Sequence, residues 1–207
     1  MSHHEDDPDQ VQGISERQER RAAGNDIFFS EQFEETPHII RPGQVLCGDD
    51  IKDMYVAAVG SGVIATMYDV ELKLGGMCYV LLPRELLKAF PHFEKADKKW
   101  QSLAVEPLER CIAEMKKRGA GKSRIQMRLI GGGKIPGTEA EDLGTKNYVF
   151  VREYVTRKGL RILNEDLAGK YARRVHFFPA TGRTVRVVLR RAEDISAIQA
   201  LEKEKPE

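Results

Sequence analysis

The stretch Tyr55–Pro83, YVAAVGSGVIATMYDVELKLGGMCYVLLP, decides how the chain reads. It holds two apolar runs rich in β-branched residues, Tyr55–Met67 and Met77–Leu82, joined by a polar link ending in Gly75-Gly76. Runs of this kind, bounded by Gly and Pro, predict buried strands. Gly60-Ser61-Gly62 interrupts the first run. A glycine pair inside a strand pattern marks a bend or a place where something approaches the backbone closely. Gly60, Ser61 and Gly62 are therefore the first candidate site residues.

On either side the pattern is mixed. Upstream, His38–Leu46 has a turn at Pro42-Gly43 between short apolar runs, and Asp49–Asp53 is a polar turn. Ile27-Phe28-Phe29 with Phe33 places four large apolar side chains in a polar segment, which predicts an aromatic arm over residues 27–35 docked on the domain. Residues 1–26 are polar and carry His3-His4; they predict a disordered tail rather than a metal site. Downstream, Arg84–Phe93 reads as a short helix or loop and Glu94–Lys99 as a solvated charge run. Leu108, Cys111, Ile112 and Met115 recur at helical steps, giving an amphipathic helix within Ser102–Arg118 closed by Gly119. On that stripe Cys111 reads as a buried structural thiol.

Ile125–Ile130 predicts a strand that runs into Gly131-Gly132-Gly133-Lys134. The spacing fits neither a P-loop nor the dinucleotide fingerprint, because Lys134 is followed by Ile135-Pro136. Thr145–Lys158 predicts a second helix with Gly159 as its stop, and Leu160–Leu163 a strand. Arg174–Phe178 and Thr184–Leu189 predict strands around a hairpin loop, with His176 as a half-buried structural histidine. Residues 192–207 form a C-terminal amphipathic tail in which Ile195, Ile198 and Leu201 stand at helical spacing. Strands mixed with helices, without regular alternation, imply an α+β domain over residues 27–191.

Composition removes several function classes. The 207 residues carry a formal charge of +1, which argues against nucleic-acid binding through a net field. No apolar run approaches the ~18 residues that span a bilayer, and the acidic N-terminus lacks a signal-like core. The three cysteines, Cys47, Cys78 and Cys111, match no metal spacing. Free thiols in a reducing cytoplasm are the simple expectation. No metal and no cofactor is expected.

The blocks IRPGQVLCGDD, VAAVGSGVIATMYD, GGMCYVLLP, RLIGGG and NYVFVREYVTRKGLRILNEDLAGKYARRVHFFPATGRTVRV, in this order between about Phe28 and Arg190, resemble the CheD chemoreceptor glutamine deamidases of bacterial chemotaxis. The resemblance implies a mixed β-sandwich flanked by helices, like that of deamidating toxins. It implies cysteine-hydrolase chemistry that turns chemoreceptor glutamines into glutamates. As partners it implies chemoreceptor signalling helices and a CheC-like phosphatase. That chemistry needs a thiolate nucleophile, an imidazole and donors for the oxyanion.

At the family's site this chain departs from the pattern. The nucleophilic cysteine of the GSCVA motif falls on Gly62, the histidine of GG-x-x-H falls on Tyr79, and the threonine upstream falls on Val56 or Ala57. The catalytic set implied by the resemblance is thus not intact, and Gly60, Ser61, Gly62 and Tyr79 remain as binding-pocket candidates. The expectation is a catalytically inactive relative that binds a receptor or a CheC-like protein. The alternative is an active deamidase with a relocated nucleophile, Cys78 or Cys47. Strand parity speaks against Cys78, since neighbouring strand residues point to opposite faces.

Overall fold

The computed structural model describes residues 27–28, 33–82, 104–136 and 142–203. The expectations for residues 1–26, for Phe29 and for the 84–99 segment lie outside them. The described residues form nine strands: β1 (Thr36–Ile39), β2 (Val45–Gly48), β3 (Asp53–Val59), β4 (Val63–Asp69), β5 (Leu74–Val80), β6 (Ile125–Gly131), β7 (Arg161–Leu167), β8 (Ala172–Phe178) and β9 (Arg183–Leu189). Three helices join them: α1 (Glu106–Lys117), α2 (Leu143–Arg157) and α3 (Ala192–Leu201).

The strands make two mixed sheets, ordered β1-β3-β8-β9 and β2-β5-β4-β6-β7. The apolar run from Tyr55 to Met67 is two strands that belong to different sheets. Gly60-Ser61-Gly62 is the corner where the chain steps from one sheet to the other. The Pro42-Gly43 turn makes a second such step, with Gly43 at φ 83°, between β1 and β2.

Period-2 alternation then builds four layers. Inner-facing Tyr55, Ala57, Val59, Ile64, Met77, Tyr79, Ile130, Val175 and Phe177 fill the space between the sheets. The opposite face of the five-stranded sheet, with Val63, Ala65, Met67, Cys78, Val80, Met127 and Leu129, packs on α1 and α2. The opposite face of the four-stranded sheet, with Met54, Val56 and Ala58, packs on Ile198 and Leu201 of α3 and on Ile27 and Phe28. This is an α+β sandwich flanked by helices.

The helices start and stop where local chemistry dictates. In α1, Pro107 sits in the first turn, where its missing N–H costs no hydrogen bond. Gly119, at φ 95°, follows that helix, and Gly159, at φ 61°, follows α2. The gap between the sheets is not uniform. At Gly75 an added Cβ would lie 2.5 Å from the Pro179 Cα, so the two backbones nearly touch there.

Two elements differ from the sequence expectation. The strand after Gly159 continues through Asn164-Glu165-Asp166-Leu167, because β7 is an edge strand with one open side and tolerates polar residues. His176 is fully rather than half buried. It packs against Phe33 in a tilted arrangement with ring centroids 4.8 Å apart.

Candidate functional site

The corner between β3 and β4 is pinned from behind. The N–H groups of Gly132 and Gly133 donate to the carbonyls of Gly62 and Gly60, each at 2.7 Å. Gly131 and Gly132 adopt φ 129° and 62°, a backbone shape that favours glycine. A side chain at Gly131 would collide with the Gly62 carbonyl, and one at Gly144 in α2 would collide with the Gly133 carbonyl. The Gly131–Gly133 run is thus a brace for the corner, a role its sequence did not reveal.

With the Gly60 carbonyl held behind the corner, the planar trans peptide directs the Ser61 N–H to the opposite side. The N–H groups of Gly60, Ser61 and Gly62 converge on one carboxylate, that of Glu202 just past α3. Gly60 N and Gly62 N donate to Oε1 at 2.9 and 3.0 Å, and Ser61 N donates to Oε2 at 3.0 Å. The Ser61 hydroxyl donates to Oε2 at 2.5 Å, and the Tyr79 hydroxyl donates to Oε1 at 2.8 Å. Convergent backbone donors of this kind form an anion-binding concavity and are the same device as an oxyanion hole.

Tyr79 is fully buried on β5. A Cβ placed on Gly62 would lie 2.5 Å from its Cε2 atom and 3.0 Å from the Val80 carbonyl oxygen. The Tyr79 ring therefore occupies the space that any side chain at position 62 would need. Burial, then the charge and hydrogen bond of Glu202, push the Tyr79 hydroxyl well above its ordinary pKa. It is a hydrogen-bond donor at neutral pH and has no capacity as a general base.

The sequence candidates Gly60, Ser61, Gly62 and Tyr79 meet at one point. Val56 and Ala57 lie on opposite faces of β3, in the layer under α3 and in the inter-sheet core respectively. Glu202 was not singled out by the sequence, where it is one acidic residue in a charged run; no local signal marks it. The cysteines lie elsewhere. Cys78 packs in the layer under α1 while Tyr79 faces the inter-sheet core. The Cys47 Sγ lies 3.7 Å from the Cys111 Sγ. The hydrogen bond with Cys111, followed by burial, raises the Cys47 pKa far above the thiol range, which leaves it protonated and a weak nucleophile. Among the described residues no cluster of three His, Cys, Asp or Glu side chains is arranged to hold a metal ion.

Two facing mixed sheets flanked by helices, with backbone donors converging at the corner between the sheets, define an α+β domain with an oxyanion-type site. The family model described as CheD chemotactic sensory transduction matches residues 81–187. A probable chemoreceptor glutamine deamidase CheD of Xanthomonas campestris is 35% identical over 159 residues, 76% of each chain. The corresponding protein of Stenotrophomonas maltophilia is 37% identical over 145 residues, 70% of this chain and 69% of the relative. A probable chemoreceptor glutamine deamidase CheD 1 of Shewanella oneidensis is 31% identical over 156 residues, covering 75% and 73%. The chain belongs to the CheD family. No helix among the described residues is long and apolar enough to cross a membrane.

Proposed function

We propose that this CheD-family chain has lost glutamine deamidation and serves chemotaxis as a binding protein, engaging chemoreceptor signalling helices or a CheC-like phosphatase in the cytoplasm. One observation supports the reading: at the corner where the resemblance to the family's GSCVA motif expects a nucleophile, Gly62 has no side chain and the Tyr79 ring fills its space. In a hydrolytic triad, loss of the nucleophile alone lowers turnover by roughly 10⁶. Among the described residues neither thiol nor imidazole stands beside the three backbone donors, and those donors are already engaged.

The donor corner, which already holds the Glu202 carboxylate, has the chemistry to recognise a side-chain carboxylate. Incubation with chemoreceptor signalling-region peptides, followed by mass spectrometry, tests the reading. No conversion of glutamine to glutamate is expected; steady turnover overturns it and returns attention to a relocated thiol such as Cys47 or Cys78.

A further inference from the structure

We propose that Gly60, Ser61 and Gly62, with the Tyr79 hydroxyl, form a carboxylate-recognition site whose resident ligand is the chain's own Glu202, a latch that a partner's glutamate side chain must displace. The proposal rests on the binding role given above and adds how that site is regulated. All five donors at the site end on the Glu202 carboxylate. A glutamate side chain fits there in length and charge, so the chemistry that fills the site in cis defines the chemistry it takes in trans.

Glu202 holds an unfavourable place in its own helix. It is the C-cap of α3, whose last turn has no basic residue. A helix C-terminus carries partial negative charge and repels a carboxylate. The donors at the corner compensate for that placement, so the carboxylate is there because of the site and not because of the helix.

The helix itself is firmly seated. Arg191 grips the buried Asp194 through bonds of 2.9 and 2.7 Å, Gln199 donates to the Pro136 carbonyl, and Ile198 and Leu201 are in the core. Glu202, by contrast, is partly buried at the edge of the core. In the proposed opening the Glu202 side chain turns toward water by rotation about its own bonds while α3 stays docked. A partner's apparent affinity is then the intrinsic one reduced by the fraction of time the latch is open.

The test uses the full chain and its Glu202→Ala variant. The substitution removes a CH₂–COO⁻ group, which sodium acetate supplies in solution. Without acetate, hydrogen exchange at the amides of Gly60, Ser61 and Gly62 should be at least ~10-fold faster in the variant than in the parent, the factor that corresponds to about 1.4 kcal/mol. Acetate should restore protection in the variant and produce saturable amide shifts there, with no such shifts in the parent. Equal exchange in both proteins, or acetate binding equally to both, overturns the latch.

If Glu202→Ala does not fold, Glu202→Gln keeps the shape but turns an NH₂ toward the donors. Faster exchange at one or more of the three amides then supports the proposal, and parent-like protection at all three overturns it. The two readings fail separately. Glutamine turnover overturns the binding-protein role and leaves the acetate result standing, whereas absent acetate binding overturns the latch and leaves the mass-spectrometric result untouched.

Discussion

Gly62 and Tyr79 should behave as one unit, and a double-mutant cycle measures this. Gly62→Cys alone places a Cβ 2.5 Å from the Tyr79 Cε2 and 3.0 Å from the Val80 carbonyl oxygen. The ring has no room to retreat, because it is fully buried and its hydroxyl is bound to Glu202. Overpacking of this kind costs about 1–3 kcal/mol, and the upper half of that range is expected here. Tyr79→His alone opens space and forfeits the bond to Glu202, at a cost of about 2–4 kcal/mol. Together the changes relieve the collision with the ring, leaving only the tighter approach to the Val80 carbonyl, so the double variant should be more stable than the sum of the singles by about 1–3 kcal/mol. Urea unfolding of the four proteins, read as midpoint shifts at constant slope, gives each term. Additivity within about 0.5 kcal/mol would refute the argument that the ring occupies the vacant side-chain space.

Three further outcomes follow from burial elsewhere. His176 has its pKa lowered from 6.5 to about 4, chiefly by burial and secondarily by the Arg174 charge. Between those values the unfolded chain takes up a proton that the folded chain refuses, so stability falls as pH drops from 6.5 to 4. At about 1.4 kcal/mol per pH unit the loss reaches up to about 3 kcal/mol; thermal melts of the parent against His176→Leu should diverge over that window and run parallel above it. For Asp69, burial raises the pKa but is outweighed by the Arg124 hydrogen bond and by the Leu72 and Gly121 N–H groups, which hold the carboxyl below its ordinary value. Its stabilisation is present above pH ~3.8 and is lost as pH falls through the lower folded value. Asp69→Ala should cost about 1–3 kcal/mol in denaturant unfolding at pH 7, since it leaves the Leu72 and Gly121 N–H groups and the half-exposed Arg124 without their acceptor. Iodoacetamide should label Cys47, Cys78 and Cys111 slowly in the native protein at pH 8 and rapidly in urea, because Cys78 and Cys111 are fully buried and the Cys47 thiol is held protonated. Rapid native labelling of Cys47 would contradict the origin assigned to its pKa.

Much of the fold was written in local patterns. The apolar runs around Tyr55–Met67 and Met77–Leu82, the stripe of Leu108, Cys111, Ile112 and Met115, and the hairpin around Gly182 each bury one face, and burial leaves a periodic trace. The tail of β7 left none, because an edge strand with exposed Asn164 and Glu165 has no buried face to mark. Sheet membership was also hidden. Nothing in VAAVGSGVIA says that its two halves hydrogen-bond in different sheets, since that choice is made by partners far along the chain, such as Val175 for Ala57 and Leu129 for Ala65. At the site, the gap left by Gly62 and the aromatic at Tyr79 could be read one residue at a time. The brace from Gly132 and Gly133 and the carboxylate of Glu202 could not. Each is a long-range hydrogen bond whose donor or acceptor is common in any sequence, and no periodicity records it.

The near contact of Gly75 with Pro179 has a consequence for how such a domain can change over time. Along the inner face of β5 the residues are Gly75, Met77 and Tyr79, growing in size from the end where the backbones touch toward the corner that holds Glu202. The sandwich is a wedge, closed at one rim and propped apart at the other. A substitution at the closed rim must move main chain, whereas one at the propped rim need only exchange one filler for another of similar bulk. Chemistry installed at the wide rim is therefore replaceable without dismantling the fold, which gives a lineage built on this wedge a structural route by which an activity can be lost while its scaffold, and whatever docks on it, is retained.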